Sequence, residues 1–152
     1  MSSFTIRVYG ICIENGNVLV SDEFIYGRYV TKFPGGGLQF GEGTIDGLKR
    51  EMIEETSQDV KVIEHFYTTD FFVPSAFDPA KQVISIYYTM RFNSPVTFRI
   101  AEKPFDFLQL RDGAESFRWL KISEIAGESF TLAIDKRVGE MLKAKFAQGK
   151  PD

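Results

Sequence analysis

The sequence predicts a mixed α/β domain. Segments rich in β-branched and aromatic residues recur along the 152 residues, as strands require. Residues 44–56 and 133–147 instead place apolar side chains at helical spacing. Strand-like segments come before, between and after these two helices, an order that combines both kinds of element in one domain over 1–152.

The elements follow in order. "FTIRVYGICI" (4–13) reads as a buried strand. "ENGN" (14–17) carries an Asn-Gly turn signal, and "VLVSDE" (18–23) is the returning strand of the hairpin. "RYVTKF" (28–33) alternates and stops at Pro34, where a strand loses its donor. Residues 44–56 form the first helix; Thr44 suits its N-cap and Asp46 the positive end of its dipole. "DVKVIEHFYTTDFFV" (59–73) and "QVISIYYTMRF" (82–92) read as long strands joined by the loop "FVPSAFDPAK" (72–81). "VTFRI" (96–100) and "FRWLKI" (117–122) carry weaker strand signals. The second helix, 133–147, turns Ile134, Val138, Met141, Leu142 and Phe146 to one side.

Composition narrows the function. Apolar residues are 43% and charged residues 26%, the balance of a chain that folds and buries a core. The net charge is −3 and no basic run is present, which argues against polymeric nucleic acid as partner. The single cysteine, Cys12, cannot form an intrachain disulfide and sits in an apolar run as a small core residue. The amino terminus lacks the pattern of a secretory signal, and no run of ~18 apolar residues occurs. The expectation is a cytoplasmic protein with no membrane partner; a homodimer is compatible with the sequence.

The chemistry concentrates at 34–60, "PGGGLQFGEGTIDGLKREMIEETSQDV". On a helix that advances about 100° per residue, Ile45, Leu48 and Met52 fall together and face the core. Glu51, Glu54 and Glu55 occupy the neighbouring arc at i, i+3 and i+4. Like charges at this spacing repel, and the helix C-terminus disfavours them further. A bound cation reverses both penalties. Carboxylates suit Mg²⁺ or Mn²⁺, and one histidine with one cysteine is a poor Zn²⁺ set. Gly35, Gly36 and Gly37 let backbone approach closely, with carbonyls for a metal and amides for phosphate. The same "EMIEE" string also suits a plain solvated acidic face.

The longer pattern resembles the Nudix box, G-x5-E-x7-R-E-U-x-E-E-x-G-U, where U is a bulky aliphatic. Gly36, Glu42, Arg50, Glu51, Met52, Glu54 and Glu55 stand in register. The segment 115–125, with its Trp, resembles a late strand and short helix of the same family. The resemblance implies a Nudix-like α/β/α sandwich around a mixed sheet. It implies metal-dependent hydrolysis of a nucleoside diphosphate linked to another moiety. It assigns Glu51, Glu54, Glu55 and the backbone of Gly36 to Mg²⁺ or Mn²⁺, and Arg50 to bracing a box glutamate. It leaves Glu42 as a structural residue or outer ligand. A non-catalytic, nucleotide-sensing Nudix-like domain is the alternative, but such a domain should have lost box glutamates.

Ser57 and Gln58 depart from the box, replacing a left-handed glycine and an aliphatic. Neither supplies a metal ligand, so both read as losses of stability rather than of catalysis. In the family, the general base is a box glutamate or an acid from a later loop. Here 102–115 offers Glu102, Asp106, Asp112 and Glu115, with Glu115 and Asp112 the foremost candidates, although each also suits a surface acid. Phe71, Phe72 and Phe77 are candidates for stacking a base or, with greater weight, for core packing. Arg28 and Lys32 suit either phosphate contact or a solvated strand face, and His65 suits a structural role.

Overall fold

The computed structural model describes residues 1–149. In chain order the elements are β1 (Ser3–Glu14), β2 (Asn17–Ile25), β3 (Arg28–Lys32), β4 (Gly35–Gly37), α1 (Thr44–Thr56), β5 (Val60–Thr68), β6 (Lys81–Phe92), β7 (Ala114–Lys121) and α2 (Ala133–Ala147), with a 3₁₀ turn at Ile122–Glu124. The backbone packs as two compact units. One comprises residues 1–12 and 34–96; the other comprises residues 13–33 and the chain from 97 onward.

The first unit holds a mixed sheet. β1 runs parallel to β6, with Phe4 opposite Gln82 and Cys12 opposite Met90. It runs antiparallel to β4, with Val8 opposite Gly36, while β5 pairs antiparallel with β6. A parallel pair needs a long crossover, and the chain from β4 through α1 and β5 supplies it. Tyr9, Tyr87 and Tyr67 lie opposite one another on three strands, all buried, with ring centroids 5.2 and 6.4 Å apart. Such cross-strand aromatic pairs fix register as well as filling space. Val8, Leu48, Met52 and Met90 complete this core, and Cys12 is buried in it as its apolar surroundings predict.

In the second unit, β2 lies between β3 and β7, antiparallel to both. The turn entering β2 has Asn15 and Gly16 at φ 52° and 78°, as its Asn-Gly sequence requires. α2 buries Ile134, Val138 and Leu142, whereas Met141 and Phe146 are only half-buried. Phe33 stacks on Phe130 with centroids 4.5 Å apart. No helix among the described residues is long and apolar enough to cross a membrane.

Several expectations need correction. The strand expected over 59–73 ends at Thr68. Beyond it the chain is held by side chains as well as by strand pairing: Ser85 donates its amide to the Thr69 hydroxyl, and Ser75 Oγ accepts from the amides of Phe77 and Asp78. Phe71, Phe72 and Phe77 are therefore exposed instead of packed in the core. The strand expected at 96–100 is reduced to one bridge between Ile100 and Phe117. β4 was not foreseen, because three glycines have poor strand propensity; its pairing to β1 overrides that preference.

Candidate active site

The helix α1 has the expected bounds, but Gly43 is its N-cap, in extended conformation at φ −76° and ψ 163°. Thr44 lies one residue further in and shares a 2.6 Å hydrogen bond with the Tyr88 hydroxyl. The buried side is Gly47, Leu48, Met52 and Thr56; Ile45, expected there, is exposed. Gly47 explains the difference. A Cβ at this position would lie 2.7 Å from Leu38 Cδ1 and 3.0 Å from Glu42 Oε1. The first turn thus sits against residues 38–42 through a missing side chain, and Ile45 is left outside.

At the other end Ser57 adopts φ 60° and ψ 17°, the left-handed conformation the box reserves for glycine. Gln58 is buried but not merely a lost apolar contact. Its Nε2 donates to Ser94 Oγ at 3.1 Å and to the Pro95 carbonyl at 2.9 Å. The side chain exchanges hydrophobic packing for a tie to the segment after β6.

The acidic face of α1 meets β4 at one point. A Cβ on Gly36 would fall 2.6 Å from Glu51 Cδ and 2.7 Å from both of its carboxylate oxygens. Glu51 therefore occupies the space that any other residue at 36 would fill. Arg50 organises the surrounding acids. Its Nε and Nη2 grip Glu42 at 2.9 and 2.7 Å, a bidentate pair, and Nη2 also donates to the Gly37 carbonyl at 3.0 Å. Its Nη1 reaches Glu51 at 3.1 Å and Glu54 at 2.8 Å. The guanidinium thus spans three carboxylates and the glycine strand.

These bonds change two electrostatic expectations. Hydrogen bonds from Arg50, then the Gln39 amide, hold the Glu42 carboxyl down at about 2. Glu42 in turn raises the Arg50 guanidinium above its ordinary value, helped by Glu54 and Glu51. Repulsion among the helix acids is offset where Arg50 lies between Glu51 and Glu54, a compensation that helical spacing alone does not reveal. Glu54 is exposed, whereas Glu51 and Glu55 are half-buried.

A family model described as "NUDIX domain" matches residues 4–141. The chain belongs to the NUDIX family. Membership makes it a pyrophosphohydrolase. The solution structure of the E. coli ORF135 protein is similar at 15% identity and TM-score 0.70, covering 99% of this chain and 96% of that one. A MutT protein from Methanosarcina mazei Go1 is 18% identical, with TM-score 0.68 and 97% of each chain covered. An ADP-ribose pyrophosphatase from Streptococcus suis is 13% identical, with TM-score 0.56, covering 96% of this chain and 92% of that one. These likenesses concern the fold. No curated protein sequence matches the chain.

The NUDIX box residues Gly36, Glu42, Arg50, Glu51, Glu54 and Glu55 all lie in the first unit. The later candidates lie in the second and differ in their surroundings. Asp112 is exposed and accepts the Tyr26 amide at 2.8 Å, beside a turn in which Tyr26 has φ 49°. This is a turn-holding role. Glu115 is half-buried on β7, directly opposite Glu23 on β2. Glu102 and Asp106 are exposed, and Asp106 pairs with Arg99 at 3.1 Å.

Sequence reasoning missed the polar groups around Glu115. Ser21 Oγ lies 2.8 Å from Glu115 Oε2 and 2.9 Å from Glu23 Oε2. Lys32, considered for phosphate contact or a solvated face, is buried and paired with Glu23 at 2.9 Å. Arg28 lies on the exposed part of β3. Burial raises the Glu23 carboxyl, but the charge and hydrogen bond of Lys32, helped by Ser21, outweigh it and hold the group below its ordinary value. The adjacent Asp22, fully buried, accepts from Arg118 at 2.6 Å, from Thr31 Oγ1 at 2.6 Å and from the Phe105 amide at 3.2 Å. No sequence signal marked Ser21, Asp22, Glu23 or Arg118, because their partners are up to 96 positions apart.

Proposed function

We propose that this chain hydrolyses the pyrophosphate linkage of a nucleoside diphosphate joined to another moiety, in a Mg²⁺- or Mn²⁺-dependent reaction. The single observation that carries the reading is the contact of the Glu51 carboxylate with Gly36 at the position of an absent Cβ. It supports a site in which carboxylate and glycine backbone are ligands together. The donor set fits a hard cation: Glu51, Glu54, Glu55 and the Gly36 carbonyl are all oxygen donors. Arg50 meets Oε1 of Glu51 and Oε2 of Glu54 and so fixes where these two carboxylates stand.

When bound, the metal would supply charge neutralisation on the phosphate oxygens and activation of water. The protein's own part is positioning. Arg50 braces Glu51 and Glu54, and Glu42 fixes Arg50 against the Gly37 carbonyl. Glu115 is our choice over Asp112 for the general base: Asp112 is exposed and holds a turn through the Tyr26 amide, whereas Glu115 is half-buried on β7. We read the chain as one functional domain, 1–152, because the family match takes in residues of both units; its last residues, 150–152, lie outside the described ones. The working environment we assign is the cytoplasm, with a small nucleotide as the partner.

The test is a hydrolysis panel of ADP-ribose, a UDP-sugar, dinucleoside polyphosphates and nucleoside triphosphates, each with Mg²⁺ or Mn²⁺. The similar Streptococcus suis structure bears the name ADP-ribose pyrophosphatase, which puts ADP-ribose first. Metal-dependent cleavage of a phosphoanhydride supports the reading. Heat of nucleotide binding without any product would replace it with the sensing function.

A further inference from the structure

We propose that Ser21 is a positioning residue: its hydroxyl, set by the Lys32–Glu23 ion pair, orients the Glu115 carboxylate for proton abstraction. The inference rests on the assignment of Glu115 as general base. It begins from an arrangement that strand pairing disfavours. Glu23 and Glu115 are directly opposite on antiparallel β2 and β7, and like charges so placed repel. Both are half-buried, which strengthens the repulsion. Two neighbours offset it. The ammonium of Lys32 meets Glu23 Oε2 at 2.9 Å, with only 5% and 14% of the two side chains exposed. Ser21, itself fully buried, places its hydroxyl within reach of both carboxylates.

The order of these contacts is informative. Lys32 and Ser21 meet the same oxygen of Glu23, Oε2. The ammonium makes that oxygen a fixed point, and Ser21 is held between it and Glu115 Oε2. A serine hydroxyl has a single proton and donates to one acid at a time; with the Lys32 ammonium already on Glu23 Oε2, that proton is left for Glu115 Oε2. Ser21 and Glu23 alternate with Asp22 along β2. Asp22 faces the other side, where Arg118, Thr31 and Phe105 anchor the strand. A strand pinned by Asp22 thus presents Ser21 and Glu23 to Glu115 with little freedom to drift.

The experiment measures kcat and KM for ADP-ribose, or for whichever substrate of the panel is cleaved fastest, in S21A, S21T, E115Q and S21A/E115Q, each with its melting temperature. The expectation is that S21A lowers kcat by about 10- to 100-fold, the scale of a misplaced reacting group, with KM within about twofold of the parent. S21T restores the hydroxyl and recovers kcat at least in part. E115Q is far slower than the parent, and adding S21A to it changes kcat less than about twofold, because coupled residues do not add. An inactive E115Q beside an S21A enzyme with parental kcat overturns the role of Ser21 alone. An E115Q enzyme with parental kcat overturns the base assignment and this inference with it. An S21A defect that persists in full in the E115Q background, or that S21T fails to relieve although it melts as the parent does, also overturns the inference. E23Q provides a second route: it leaves Ser21 in place, removes the charge that meets Lys32, and should lower kcat while adding nothing to E115Q.

Discussion

Replacing Gly36 with alanine tests the contact on which the metal site rests. Gly36 has ordinary backbone angles, so alanine strains no dihedral and the effect is steric. The new Cβ would stand 2.6 Å from Glu51 Cδ, and ordinary contact begins at 3.4 Å, so the carboxylate must retreat by about 0.8 Å. That movement also strains its 3.1 Å bond to Arg50. Because a side-chain end yields and no backbone does, stability should fall by only about 1 kcal/mol, the low end for overpacking. The functional loss should be larger. A displacement near 1 Å costs on the order of 100-fold in turnover, or about 2.7 kcal/mol of barrier. Affinity for Mn²⁺, read by titration calorimetry, should drop about 10- to 100-fold. The neighbouring glycines calibrate the result. Gly37→Ala would place its Cβ 3.8 Å from Arg7 Nη1 and should behave as the parent. Gly35→Ala, at φ 145° with Val8 O 2.0 Å from the new atom, collides with backbone and should lose far more stability than either. A Gly36→Ala protein that binds Mn²⁺ and turns over as the parent does would refute the placement of Glu51 at the metal.

Three further outcomes follow from the same geometry. Ser57→Gly should raise stability by about 0.5–1 kcal/mol, since glycine accepts the left-handed angles without cost; activity should not change, and urea denaturation beside a turnover assay checks both. Glu55→Gln should lower turnover by about 100-fold or more and shrink the rise in melting temperature that Mg²⁺ gives; an unchanged metal-induced shift with unchanged turnover would remove Glu55 from the ligand set. For Arg50→Gln the readout is acid unfolding. In the parent, Glu42 is held at about 2 against an ordinary 4.5, so its contribution is complete above 4.5 and disappears as the pH falls through about 2. Without the guanidinium, Glu42 returns toward its ordinary value, and stability should depend less steeply on pH in that interval; an equal slope in both proteins would show that Arg50 does not hold the Glu42 carboxylate.

What the sequence alone determined was local and periodic. The spacing of apolar and acidic residues defined α1 to the residue, because helical period is a property of neighbours. The box located Glu42, Arg50 and the three helix glutamates, and the missing glycine announced the left-handed Ser57. The Asn-Gly turn and the strands beside it were legible for the same reason. Only the tertiary structure decided which of these residues meet. The Gly35–Gly37 segment has no strand propensity and becomes β4 through pairing with β1, 28 positions away at Val8 and Gly36. Ile45 fits the apolar stripe but stays exposed, because Gly47 lets the first turn settle against Leu38. Repulsion among the helix acids follows from their spacing, but its relief depends on where one guanidinium points. Ser21, Glu23 and Lys32 carried no motif at all. A hydroxyl, a carboxylate and an ammonium acquire a role only when β2, β3 and β7 align them around Glu115, and strand register is set by long-range packing that no local window contains.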